Sequence, residues 1–272
     1  MATTSNVVNC QQFLLFYTEK NNLAKQPALI ILHETICMLH KLILLLAINL
    51  FFIQCIAQNN KGFEKPDYAK IEKVTKDKSS PNYYPKLLKR YLSNDNTLTD
   101  DEYSLLYYGY FFQDGYSSYG SASKFSDSLK ELFKKPKTTD DDRRNIIRYT
   151  KDDMKTSPFS LRDLYRLFNL YQADNDKTNS DLCLYKLEKL AKTISATGDA
   201  RTDSTGLHVM TVEDEYTIIA LLGYEFAGTH KQTANHCDYL TLKKNDDNLD
   251  GLYFDVKQIF IRFGNTYSDD KK

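Results

Sequence analysis

Tryptophan is missing from all 272 residues, and glycine and proline are scarce at 10 and 6. The few glycines form no Gly-rich loop to cradle phosphate, and no G-x-S-x-G elbow exposes a nucleophilic serine. Neither sign of charge dominates, since 36 Lys and Arg stand against 36 Asp and Glu. Nucleic-acid binding needs an excess of cations on one face, so this balance points away from nucleic acid as a partner. One long apolar run is present, Leu42 to Ile53, and it is too short for a membrane span of about 20 residues. A hydrophobic share of 42% with 26% charged residues is enough for a real core and excludes general disorder.

The apolar run is better read as part of an export signal. Met38-Leu39-His40-Lys41 gives a short basic start, and small residues at Cys55 and Ala57 precede a cut before Gln58. Residues 1–37 then form an upstream extension, with translation expected to begin at Met38. Residues 58–272 form the mature chain, expected as one domain that is exported, in the periplasm or secreted. Lipid anchoring through Cys55 is not expected, because Gln54 stands where a small residue is needed. No stable membrane span remains after cleavage. Removal of the leader leaves Cys183 and Cys237, a pair that an oxidising compartment can join. Cys183 also shares a helical face with Leu187, Leu190 and Ile194, which suits a buried thiol equally.

The mature chain reads as helices first and a small sheet afterwards, an α+β architecture. Over about 65–196 the pattern is helical. Pro66 opens one helix, and Asn82 to Tyr91 makes another. Thr99 with Glu102 forms a capping box, leading into Tyr103 to Phe112 as a buried central helix. Phe125 to Phe133, Thr139 to Met154, a segment from Pro158 carrying Leu161, Leu164, Tyr165, Phe168 and Tyr171, and Ser180 to Ser195 follow. The helix pairs begin near 81, 122 and 158, loosely the period of helical-hairpin repeats. In the strand-rich part, about 205–264, Gly206–Met210 is a strand and Thr211 caps an intervening helix. Tyr239–Leu242, Leu252–Val256 and Ile259–Phe263 then read as an antiparallel meander.

Among candidate sites, eight aromatics lie between Tyr103 and Tyr119. Tyr107, Tyr108, Tyr110, Tyr116 and Tyr119 are the candidate binding residues, because tyrosine rings stack on sugar faces and anchor protein interfaces. The plainer reading packs them against neighbouring helices. Asp246 to Gly251 begins like a calcium loop, but Lys257 stands where a bidentate Glu belongs, so a hairpin turn is expected. His208, His230, His236, Cys237 and Asp238 match no common zinc spacing, and no metal or cofactor is expected. Glu213-Asp214-Glu215 at a helix start is explained by the helix dipole. Lys134-Lys135-Pro136-Lys137, followed by Asp140 to Asp142, reads as a solvated surface.

Several segments together are similar to a known family. They are Asn82-Tyr83-Tyr84-Pro85-Lys86-Leu87 with Arg90-Tyr91, and Thr97-Leu98-Thr99-Asp100-Asp101-Glu102-Tyr103 running into Leu106-Tyr107-Tyr108-Gly109-Tyr110. Thr197-Gly198-Asp199, Glu213-Asp214-Glu215-Tyr216 and Tyr253-Phe254-Asp255-Val256 complete the set. They resemble domain of unknown function family 4919, small secreted proteins mainly of Bacteroidetes, over roughly 65–240 and more. One departure is Ala200-Arg201-Thr202, where the family leads one to expect a Gly-rich turn. The resemblance implies export and carries no established activity, so no catalytic residue is transferred. The expectation is a non-enzymatic periplasmic protein-binding module. One alternative is a glycan or small-ligand binder using the tyrosines of 103–119. Another is a hydrolase whose site would gather His208, His236, Cys237 and an acid.

Overall fold

The computed structural model describes residues 62–119 and 123–262. The leader at 38–57, the extension at 1–37 and the loop residue Gly120 lie outside the described residues. The helical part contains α1 (Tyr68–Lys76), α2 (Tyr84–Leu92), α3 (Asp100–Gly109), α4 (Ser126–Lys134), α5 (Asp140–Asp153), α6 (Leu161–Ala173) and α7 (Lys177–Ser195). Helix α8 (Val212–Leu221) lies between strands β1 (Leu207–His208) and β2 (Phe226–Gln232), and β3 (Cys237–Leu242) and β4 (Gly251–Asp255) follow. The architecture is α+β, as expected.

Local chemistry sets most helix starts. The Thr99 hydroxyl accepts from the Glu102 N–H at 3.2 Å, and the Glu102 carboxylate accepts from the Thr99 N–H at 2.8 Å. Thr139 and Asp142 repeat this reciprocal cap at α5, and Thr211 caps α8. The aromatic run beyond Thr99 does not stay α-helical throughout. It tightens into a 3₁₀ turn at Tyr110–Phe112 after α3 ends at Gly109. The expected pairs exist: α2 packs on α3, α4 on α5, and α6 on α7 most extensively.

In the sheet the strand order is β1-β4-β3-β2. Strands β2, β3 and β4 form an antiparallel meander in which β3 and β4 are the expected strands, and β1 joins β4 in parallel. The strand expected at Ile259–Phe263 is absent over its described part, where 257–262 turns helical. The reason is local: the Asp255 carboxylate accepts from the Lys257 N–H at 3.1 Å, and Val256 O accepts from Ile259 N at 2.9 Å, which starts a helical turn. Strand β2 escaped the sequence because it is an edge with almost every residue exposed, and it shifts register between Phe226 and His230 around Gly228 at φ 96°. One buried cluster runs from Ile71, Leu87 and Leu106 through Leu190 and Ile218 to Leu240 and Phe254, so helices and sheet share a core.

The 198–206 connection joins the two parts. Ala200, where a glycine was expected, sits at φ 59°, fully buried. Its N–H donates to Thr205 O at 2.9 Å, and its carbonyl accepts from Tyr253 N at 3.0 Å, so the turn is tied to β4. A left-handed alanine costs about 1–2 kcal/mol. Ala200→Gly relieves that, less the chain entropy glycine adds. A net gain of about 0.5–1 kcal/mol is expected, read as a higher urea midpoint. A lower midpoint would show that the alanine methyl's packing outweighs the strain.

Candidate functional site

Three groups of polar side chains stand out, two closed and one open. The first surrounds the start of α8. Its acidic triplet, explained in the sequence by the helix dipole, turns inward. Glu213 pairs with Arg162 at 2.9 Å and accepts from Ser160 Oγ at 2.9 Å. Asp214 accepts from Tyr107 Oη at 2.8 Å. Burial pushes its carboxyl up to about 7, against the Tyr107 hydrogen bond, which pulls it down. Glu215 is buried with Oε1 lacking a hydrogen-bond partner, and burial first, then Asp238 and Asp214, raise it well above the usual carboxylate range.

A second group is a row across the sheet. His208 on β1, Asp255 on β4 and Cys237 on β3 are register partners, so their side chains share one face. His208 Nδ1 meets Tyr68 Oη at 3.3 Å, and Nε2 lies 3.4 Å from Asp255 Oδ2 without completing a hydrogen bond. Burial lowers the imidazole's proton affinity. The Cys237 thiol donates to Asp203 O at 3.1 Å, and burial first, then the Asp203 carboxylate, push its pKa up. The nucleophile in thiol chemistry is the thiolate, so this cysteine is in its inert form. His236, the other residue of the hydrolase expectation, is not in the row; its ring lies against Phe260 at 5.4 Å. His230 instead reaches Asp238, Nε2 to Oδ2 at 3.1 Å.

Cys183 and Cys237 are both buried and both free thiols. Cys183 packs with Leu167, Phe168 and Tyr171, as its helical face suggested. The segment read as half a calcium loop is the β3–β4 connection. Asn245 Oδ1 accepts from Leu249 N at 3.0 Å and its amide donates to Leu249 O at 2.7 Å, the local bonding of a turn.

The tyrosines separate by burial. Tyr107, Tyr108 and Tyr110 belong to the core, which corrects their candidacy as a binding surface: an enclosed ring offers no face to a sugar. Their hydroxyls are spent inside. Tyr108 donates to His208 O at 3.2 Å and Tyr110 to Thr156 O at 2.5 Å. Tyr116 is half-buried and donates to Met210 O at 2.6 Å. Tyr119 alone of the five is well exposed, at 68%.

The third group is open. A groove of about 520 Å³ runs along α5, walled by Arg144, Arg148, Lys151 and Lys155 over Phe125 and Ile147, with Asp152 the acidic residue on its lining. The spacing of the cations, four, three and four residues, places Arg144, Arg148 and Lys151 along one edge of α5 with Lys155 just past its end. The sequence reading passed over it because it followed only the apolar stripe of this helix. The spacing was the available signal.

Residues 69–262 match the family described as Domain of unknown function (DUF4919). The chain belongs to that family. The match takes in every helix and strand named above except the first residue of α1. No curated protein and no solved structure matches this DUF4919 chain. Among the described residues, no helix is long and apolar enough to cross a membrane.

Proposed function

We propose that this DUF4919 protein is an exported, non-enzymatic module that binds another protein through its helical body. The observation that carries the reading is the open groove along α5, whose cationic side chains project to solvent above an apolar floor. Interfaces of this kind combine an apolar centre with a polar rim. The two closed groups lend themselves less to chemistry, since the row at His208 holds a protonated thiol and the acids of α8 are enclosed. Export rests on the leader pattern at 38–57.

Intact mass by cell fraction tests the exported half of this reading. A chain beginning at Gln58 outside the cytoplasm is expected. A cytosolic chain beginning at Met1 or Ala2 would overturn it. Crosslinking in the native host tests the other half, with a defined protein partner expected on α4–α5.

A further inference from the structure

We propose that the groove along α5 docks an acidic amphipathic helix of the partner protein, with apolar side chains on Phe125 and Ile147 and carboxylates against Arg144, Arg148, Lys151 and Lys155. This deepens the protein-binding reading and rests on it. The charge of the groove selects the partner. Four cations face one acid, and that acid, Asp152, is already held by Lys124 and Lys155, each at 2.7 Å. Those two lysines keep its carboxyl down at about 2, so it is an ion whose charge is answered. Arg144 pairs with Asp141 at the helix start. Arg148 and Lys151 have no carboxylate partner among the described residues.

The geometry selects a helix. At about 1.5 Å per residue, Arg144, Arg148 and Lys151 are spaced about 6 and 4.5 Å along α5, and Lys155 follows in the turn beyond it. Glutamates at the same four- and three-residue steps of a partner helix repeat those distances, so each carboxylate meets a cation in register. The floor argues against a bare polyanion. Ile147 and the Phe125 ring are half-buried and packed into the small core under α4 and α5, and apolar side chains are what such a floor accepts. An acidic polysaccharide supplies carboxylates without that apolar stripe. The wall is also held in place beforehand. Phe125 and Tyr149 stack at 4.3 Å and 19°, and the Arg148 guanidinium lies 4.8 Å above the Tyr149 ring. A guanidinium fixed on a ring loses less freedom on binding a carboxylate.

The test uses the mature chain and a labelled synthetic helix with leucines on one face and glutamates flanking them at four- and three-residue steps. Saturable binding is expected, weakening as salt rises. Arg148→Glu with Lys151→Glu should weaken it at least about tenfold, while the urea midpoint drops only slightly, through loss of the exposed Arg148 guanidinium's contact with Tyr149. A peptide with Gln for Glu, and one with Ser for Leu, should each lose most of the binding. Equal binding by the double variant, or tight binding of polyuronate or anionic vesicles with none of the peptide, overturns the proposal. Crosslinking of the double variant in the host separates the two readings. A partner retained undiminished by the variant keeps the protein-binding function and removes this groove as its seat. No partner for either form removes both.

Discussion

Gly198→Ala is expected to destabilise the chain by about 3–5 kcal/mol, a large part of the roughly 5–15 kcal/mol that holds a domain folded. A Cβ at this position falls 2.1 Å from Thr205 O, 2.8 Å from Thr205 C and 2.9 Å from Gly206 O. All three are backbone atoms, so no side-chain rotation makes room. The segment cannot move cheaply either. Thr205 O is the acceptor for Ala200 N, Tyr253 N is held by Ala200 O, and Thr197 Oγ1 accepts from His208 N at 2.9 Å. Displacing the loop strains or breaks these bonds, each worth about 1 kcal/mol net and more where a buried group is left unpaired. It also loosens the step from α7 into β1, through which the helical body meets the sheet. Urea unfolding followed by circular dichroism measures the effect. A midpoint within error of the wild type would mean that the two backbone segments are not in contact.

The elements visible in the sequence are those set by bonds within about four residues. Thr99, Thr139 and Thr211 announce three helices because cap and first turn lie side by side in the chain. Membership of DUF4919 was legible for the same reason, through short segments such as Thr97 to Tyr110. Burial was not. Glu213, Asp214 and Glu215 read only as partners of the helix dipole, because three acids at a helix start satisfy it wherever they point. What turns Asp214 inward is Tyr107, which is 107 residues away in the chain, and no local pattern records that pairing. For Tyr107, Tyr108 and Tyr110 the plainer reading as packed rings is the one the fold bears out, although the sequence does not display the buried acceptors their hydroxyls find. The groove was half legible. The spacing of Arg144, Arg148 and Lys151 is in the chain, but its floor needs Phe125 brought over from the start of α4.

Stability is expected to fall as pH rises from about 5 to about 8, by about 3 kcal/mol, and Asp214→Asn should remove most of that slope. Asp214 is fully enclosed and its carboxyl is pushed from the ordinary 3.8 up to about 7. In the folded chain it therefore keeps its proton at pH values where the unfolded chain has released it. A group raised in this way contributes stability that is complete below the unfolded value and lost as pH climbs through the folded one. One pH unit within that window is worth about 1.4 kcal/mol for a single site. Glu215, raised by burial next to Asp238 and Asp214, acts in the same direction. Two hydrogen-bonded carboxylates elsewhere act oppositely. Asp95 and Asp142, held at about 2 by hydrogen bonds, add stability above the usual carboxylate value and lose it only as pH falls towards 2. The optimum should accordingly lie near pH 4–5, on the acid side of neutrality. Tyr107→Phe gives a second arm. It deletes the donor that stabilises the Asp214 anion, so the carboxyl should hold its proton to higher pH, even though the variant also leaves Met210 N without its acceptor. Urea midpoints across the range decide the matter. A wild-type profile flat between pH 5 and 8, or one equally steep in Asp214→Asn, would assign the slope to other groups and leave Asp214 ionised in the fold.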